Sequence, residues 1–196
     1  MLLVGAAYAM LPESLRLGPH ILLLGVVVVL LVLIASARLR GHPRLTRLLA
    51  LSLITAVTVV VVASVLLLVS LLLLRQEVVS PPTLLRDAAL VWIINMVTFA
   101  VWYWEIDGGG PARRRKDAHE SSDFLFPQMV QEEGKAASNW SPQFMDYLFL
   151  TFNHSTAFSP TDTAVLSRRA KVLTMTQATL SLLVIAVLVA RAINAL

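Results

Sequence analysis

An apolar stretch, residues 144–152, runs directly into a polar segment, residues 153–162. The apolar stretch is about half as long as the roughly 20 residues that a helix needs to cross a bilayer core. A half-length helix followed by irregular backbone is typical of a re-entrant loop, which a membrane tolerates only where protein buries the backbone or water fills a cavity. Small polar or anionic groups in such a loop could replace part of an ion's hydration shell. The candidates for a filter or pore lining are Ser155, Thr156, Ala157, Phe158, Ser159 and Asp162.

Two of the three charged or titratable residues singled out near this segment have competing interpretations. Asp162 could attract cations at a pore mouth, or it could cap the next helix or form an Asx turn, because residues 159–162 (Ser-Pro-Thr-Asp) have turn composition. His154 could sense protons or bind a metal, but no second ligand lies at a suitable spacing. A hydrogen bond from His154 to loop backbone is therefore favoured, and no metal site is predicted. Asp146 is predicted to cap the half-length helix near its start, where a negative charge suits the helix dipole.

A second set of polar residues lies inside apolar runs. Thr174, Gln177 and Ser181 are spaced i, i+3, i+7 and therefore share one face of a helix, and Asn95 lies in another run. Such side chains either line a water path or form hydrogen bonds to a neighbouring helix. Packing between helices is the favoured interpretation, and pore lining stays open as the alternative.

Glu105 and Asp107 form the most conspicuous carboxylate pair, but residues two apart do not share a helix face, which argues against joint acid/base work. A tether to the basic run at residues 113–116 is the favoured interpretation. The chain contains no Walker sequence, His-Glu-x-x-His, Gly-x-Ser-x-Gly or dinucleotide fingerprint. The sequence therefore predicts neither an enzyme nor a cofactor, and a membrane hydrolase using Glu105 or His154 is a distant alternative.

Four apolar runs must position these residues: 21–37, 48–74, 88–104 and 172–196. The 196-residue chain is 57% hydrophobic and 14% charged, with a mean hydropathy of +0.76, which leaves too little polar surface for a soluble domain. It contains no Cys, which excludes disulfides, thiolate metal sites and cysteine nucleophiles. The predicted fold is an all-α integral membrane protein with four transmembrane helices and a re-entrant half-helix and loop between the third and fourth.

The predicted organisation has three parts. Residues 1–18 form an interfacial lead-in, residues 19–75 a two-helix hairpin, and residues 84–196 a larger unit. The elements of the larger unit are an outer helix at 88–104, a polar loop at 105–142, a re-entrant helix and loop at 143–162, and an inner helix at 167–196. The aromatic patch at 124–127 within the polar loop is expected to rest on the membrane or on a neighbouring subunit, with partial disorder of the loop as the alternative.

Basic residues predict the orientation. Four spans place the first and third connections on one side of the membrane, and the termini and the second connection on the other. The first side carries twelve basic residues near the spans or in the loop: Arg38, Arg40, Arg44, Arg47, Arg113, Arg114, Arg115, Lys116, Lys135, Arg168, Arg169 and Lys171. The other side carries four: Arg16, Arg75, Arg86 and Arg191. The positive-inside rule therefore predicts both termini outside, and the same placement beside apolar runs accounts for the net charge of +4 without nucleic-acid binding.

The segment 147–194 resembles the pore module of tetrameric cation channels, with a short pore helix at 147–152, a filter position at 155–159 and an inner helix from near Arg169. This resemblance implies a homo-oligomer, with a tetramer favoured, and monovalent cations as the ions. Ala157 and Ser159 stand where a potassium filter has glycines. In such channels the filter loop faces outward, whereas the charge count turns this loop toward the cytoplasm.

Several motifs along the chain are similar to those of uncharacterised bacterial four-span membrane proteins. They are Trp-Glu-Ile-Asp-Gly-Gly-Gly-Pro at 104–111, Phe-Pro-Gln at 126–128, Trp-Ser-Pro at 140–142, Asp-Tyr at 146–147 and Ala-Phe-Ser-Pro-Thr-Asp at 157–162. This similarity implies a multi-pass protein of the bacterial plasma membrane, in contact with the lipid bilayer, and implies no activity. The function predicted from the sequence is a pore-loop membrane protein, and an ion channel and a non-conducting scaffold or assembly protein are the two hypotheses left open.

Overall fold

The structure, a computed structural model, describes residues 20–74, 81–114, 122–130, 140–156 and 161–194. The predicted lead-in and the filter candidates Ala157, Phe158 and Ser159 lie outside these residues. The described α-helices are α1 (His20–Leu39), α2 (Pro43–Leu74), α3 (Pro81–Ile106), the short α4 (Pro111–Arg114), the half-length α5 (Phe144–Thr156) and α6 (Arg168–Asn194), and short 3-10 helices cover Asp107–Gly109 and Pro127–Met129.

Three of the described helices are long and apolar enough to cross a membrane, over Pro43–Ser70, Pro82–Gly109 and Arg168–Ala190. A shorter apolar helix stretch covers Val27–Leu39. Large apolar side chains such as Val32, Leu66 and Leu182 are exposed on the outer faces of these helices. Length, hydropathy and an apolar exterior are together the properties of a multi-span helical membrane protein in contact with lipid.

The helices extend beyond the apolar runs that predicted them. Proline begins both α2 and α3, at Pro43 and Pro81, where a missing backbone N–H costs nothing because the first turn has no acceptor for it. The start of α3 includes Asp87, which is only 1% exposed. A search for apolar runs excludes such a residue, so the third helix is longer than predicted.

α3 is the central helix and packs against α2, α5 and α6. Its buried side chains include Val91, Phe99 and Tyr103, which join a core that also contains Leu180 and Val184 of α6. α1 packs against α2 at the edge of the bundle. The buried polar residues Asn95, Gln177 and Ser181 lie where these helices meet.

The segment before α5 and the segment after α5 lie at the same end of the bundle. The ring of Phe144, at the start of α5, lies 6.1 Å from that of Trp104 near the end of α3. Further along α5, the ring of Phe152 lies 6.1 Å from that of Trp92, which is about 18 Å back along α3. After α5, strand β2 (Ala164–Val165) pairs antiparallel with β1 (Phe124–Leu125) at the end where α3 finishes and α6 begins.

The expectation for the aromatic patch at 124–127 was wrong. Phe124 and Phe126 are 0% and 4% exposed, and both rings pack against Tyr147 of α5 within the same chain. Phe124 also contacts Tyr103, and Phe126 contacts Trp140. An apolar patch in a polar loop needs burial, but its local sequence does not show that aromatic partners elsewhere in the chain provide it.

Candidate functional site

Gln177 is the centre of a buried polar network between α3, α5 and α6. Its Nε2 donates to the backbone oxygen of Thr151 and to Oγ of Ser155, both at 2.8 Å. Its Oε1 accepts a hydrogen bond from the hydroxyl of Tyr103 at 2.5 Å. Because both ends of one amide are used, Gln177 ties the half-length helix to the two long helices beside it.

A second polar contact lies next to Gln177, near the middle of α3. Asn95 Nδ2 donates to Ser181 Oγ at 2.8 Å and to the backbone oxygen of Gln177 at 3.4 Å. Asn95 Oδ1 and Thr98 Oγ1 are buried and have no hydrogen-bond partner within the part of the chain that the structure describes. The interior at this level therefore combines satisfied polar groups with unsatisfied ones.

The structure brings together three of the four polar residues that the sequence singled out in the apolar runs. Asn95, Gln177 and Ser181 are almost completely buried and bonded to one another or to α5. Thr174 is half-buried, and its hydroxyl donates to the backbone oxygen of Lys171 in its own helix. Thr174 therefore takes no part in the network, although it shares the helix face.

The polar segment after the apolar stretch is partly helical, which differs from the predicted irregular backbone. α5 continues to Thr156, so Ser155 and Thr156 form its last turn. Ser155 is 1% exposed and bonded to Gln177, and Thr156 Oγ1 donates to the backbone oxygens of Phe152 and Asn153. The bond from Gln177 holds this last turn against α6 in a sequence whose own helix propensity is low, whereas the Thr156 bonds lie within α5 and do not add to its stability.

Asp162 does not cap the last helix. It is exposed, and the first turn of α6 is capped by Ser167, whose Oγ accepts a hydrogen bond from the backbone N–H of Ala170 at 3.2 Å. A turn is present before α6, since the N–H of Thr163 donates to Oγ1 of Thr161 at 3.0 Å. The predicted turn is therefore present, but its side-chain hydrogen bond comes from Thr161.

His154 packs edge-on against Tyr103, with ring centroids 6.1 Å apart. Its Nδ1 is buried without a hydrogen-bond partner among the described residues, so the expected bond from this nitrogen to loop backbone is not found there. The described residues contain no group of three side chains suited to hold a metal ion.

Asp107 is the centre of a second polar cluster, at the end of α3. Its Oδ1 accepts hydrogen bonds from Ser122 Oγ at 3.0 Å and from the backbone N–H groups of Asp123 and Phe124 at 2.6 and 3.3 Å. Its Oδ2 accepts a hydrogen bond from the hydroxyl of Tyr147 at 2.5 Å. One buried carboxylate thus joins the end of α3, the β1 segment and α5.

An ion pair extends this cluster to α6. Arg169 donates to both carboxylate oxygens of Asp123, at 2.8 and 2.6 Å, and to the backbone oxygen of Ile106 at 3.3 Å. The Asp123 side chain is 2% exposed and that of Arg169 is 54% exposed. The pair therefore closes the polar end of the bundle at its surface.

Sequence reasoning missed the role of Asp107. A signal for it is the Gly108-Gly109-Gly110 run, in which all three residues have positive φ angles (56°, 78° and 97°) and end α3 immediately after Asp107. A Cβ on Gly110 would lie 3.2 Å from the backbone oxygen of Glu105, so the chain turns tightly here. The predicted tether of Glu105 and Asp107 to the basic run stays a prediction, because the structure does not describe the side chains at 114–116.

Comparison of the chain with protein-family models, with curated proteins and with solved structures returned no match in any of the three. One local prediction is confirmed by the structure: Asp146 Oδ2 accepts a hydrogen bond from the backbone N–H of Gln143 at 2.7 Å and caps the start of α5.

Proposed function

We propose that the chain is a four-span, pore-loop membrane protein of the bacterial plasma membrane, in which α5 is a re-entrant half-helix. α5 has 13 residues and a length of about 20 Å, shorter than the roughly 30 Å of a bilayer core. The observation that carries the proposal is the path of the chain. It enters beside Trp104, reaches the level of Trp92, and returns to the same end at β2.

The same path supports ion conduction as the activity, with monovalent cations as the ions and a homotetramer as the assembly. A helix that ends inside a membrane directs the negative end of its dipole at that point, which favours a cation. The last turn of α5 contains Ser155 and Thr156, and the filter candidates follow directly. The charge pattern orients both termini outward, and this loop then faces the cytoplasm.

Cation flux into liposomes tests this function. The purified full chain should carry a monovalent cation, and Thr156→Val should change the flux because it removes a hydroxyl at the inner end of α5. Thr55→Val is the matched control, since Thr55 is exposed on α2, outside the predicted pore module, and its hydroxyl donates to the backbone oxygen of Leu51 in its own helix. Asp162→Asn should lower cation flux while leaving assembly unchanged.

A non-conducting scaffold or assembly protein is the second candidate. It is favoured by the Gln177 network, in which the donors and the acceptor of a buried amide are all used within one chain, as in a structural tie. Under this function no common cation or anion passes at any pH or voltage, and the protein is a monomer or dimer in nanodiscs. A tetramer with flux that Thr156→Val alters would contradict the scaffold.

A further inference from the structure

The connection between α1 and α2 is a short turn closed by backbone hydrogen bonds. The N–H of Gly41 donates to the backbone oxygen of Arg38, and the N–H of His42 donates to that of Ala37, which is the pattern of a Schellman motif. Gly41 supplies the left-handed backbone that the motif needs, with φ 71°. Residues 38–45, which we name the basic turn, are all exposed.

The positive charge of the basic turn is not neutralised by acidic residues near it in sequence or by described ones in space. No acidic residue occurs between Glu13 and Glu77. Arg38, Arg40 and Arg44 form no ion pair within the described part of the chain. The basic turn therefore presents three guanidinium groups on a fixed backbone.

Two acidic groups at the same end of the bundle are directed inward. The start of α2 lies beside the end of α3, because Arg47 Nε is 4.0 Å from the position of a Cβ on Gly110. Asp107 and Asp123, which belong to this end, are 0% and 1% exposed and bonded within the chain. These two carboxylates therefore do not offset the positive charge of the basic turn at the surface.

Apolar side chains are interleaved with the arginines. Leu39 is 89% exposed and is the last residue of α1. Leu45 is 49% exposed and lies in the first turn of α2. A ligand that covers this surface must offer anionic oxygens and hydrocarbon at nearly the same depth. A soluble anion offers only the first of these, whereas a phospholipid offers both.

We propose that the basic turn binds anionic phospholipids, with Arg38, Arg40 and Arg44 on the headgroup phosphates and Leu39 among the upper acyl segments. Guanidinium groups match phosphate oxygens with two parallel hydrogen bonds, and their long stems reach the headgroup layer. This proposal does not depend on whether the protein conducts ions.

Binding of fluorescent phosphatidylglycerol and phosphatidylcholine to the purified full chain in detergent tests the proposal. Wild type should bind the anionic lipid more tightly. Arg40→Gln should weaken that binding about fivefold, and a triple variant with Gln at all three arginines should bind the two lipids alike. Arg86→Gln is the matched control, since it removes one exposed positive charge near the opposite end of α3 and should leave the preference unchanged.

Three outcomes would overturn the proposal. The first is an unchanged lipid preference in both Arg40→Gln and the triple variant. The second is an equal loss in Arg86→Gln, which would show a response to overall charge. The third is full displacement of the anionic lipid by inorganic phosphate at equal concentration, which would show a site for the free anion. If the triple variant melts early, Arg40→Gln alone decides.

Discussion

Two buried aspartates near opposite ends of α3 differ in how the chain surrounds them. Asp107, at the end of the helix, accepts four hydrogen bonds, two of them from backbone N–H groups. Asp87, within the first turns, is 1% exposed, and its Oδ1 has no hydrogen-bond partner among the described residues. The same residue type is therefore a structural anchor at one end of the bundle, and at the other end it has one carboxylate oxygen without a hydrogen-bond partner among the described residues.

The difference follows from the position of each aspartate in its helix. Inside a helix the backbone N–H groups are used by carbonyls one turn earlier, so only side chains can satisfy a carboxylate there. Beyond the end of a helix the chain is free to return with unused N–H groups. The glycine turn after Asp107 permits that return and brings the N–H groups of Asp123 and Phe124 to the carboxylate.

The largest effect is expected for Asp107→Asn. An amide at this position must direct its NH2 group either at the Tyr147 hydroxyl or at the two N–H groups, so at least one donor loses its acceptor. We expect a loss of about 2–3 kcal/mol in the free energy of unfolding, measured by denaturation in detergent. Tyr147→Phe removes one of the four bonds and should cost about 1 kcal/mol. Equal and small losses of stability in the two variants would contradict the role of Asp107 as a structural anchor.

An intermediate effect is expected for Gln177→Leu, which releases Tyr103, Ser155 and the backbone oxygen of Thr151. Hydrogen bonds between membrane helices contribute about 0.6 kcal/mol each on average, so the loss should be about 2 kcal/mol. Amide hydrogens of α5 should then exchange faster than in the wild type, whereas exchange in α2 should stay unchanged. Ser181→Ala, which removes only the Asn95 contact, is the control and should leave α5 protected. Unchanged exchange in Gln177→Leu would mean that apolar packing alone holds α5.

The smallest effect is expected for Asp87→Asn, the same substitution as at Asp107. No hydrogen bond to Oδ1 is lost, so the free energy of unfolding should change by less than about 1 kcal/mol. Both variants replace a carboxylate with an amide. A difference in their free energies of unfolding under the same conditions therefore reports the surroundings of the two residues. A loss as large as that at Asp107 would show that Asp87 has a partner of its own.

The sequence by itself determined the features that depend on local pattern. Apolar runs of sufficient length indicated the long helices, and the half-length run at 144–152 indicated α5, because the number of apolar residues decides whether a helix can cross a bilayer. The Asp146 cap and the shared face of Gln177 and Ser181 also followed from spacing along a helix.

Only the tertiary structure decided which distant residues become partners. Asp107 with Tyr147, Asp123 with Arg169, and Ser155 with Gln177 are pairs separated by many residues, and each member alone is compatible with a solvated role. The extension of α5 to Thr156 depends on one of these pairs, and the burial of Phe124 depends on Tyr103 and Tyr147. Buried polar and aromatic groups are stabilised by partners that helix packing brings close, and no periodicity along the chain encodes that proximity.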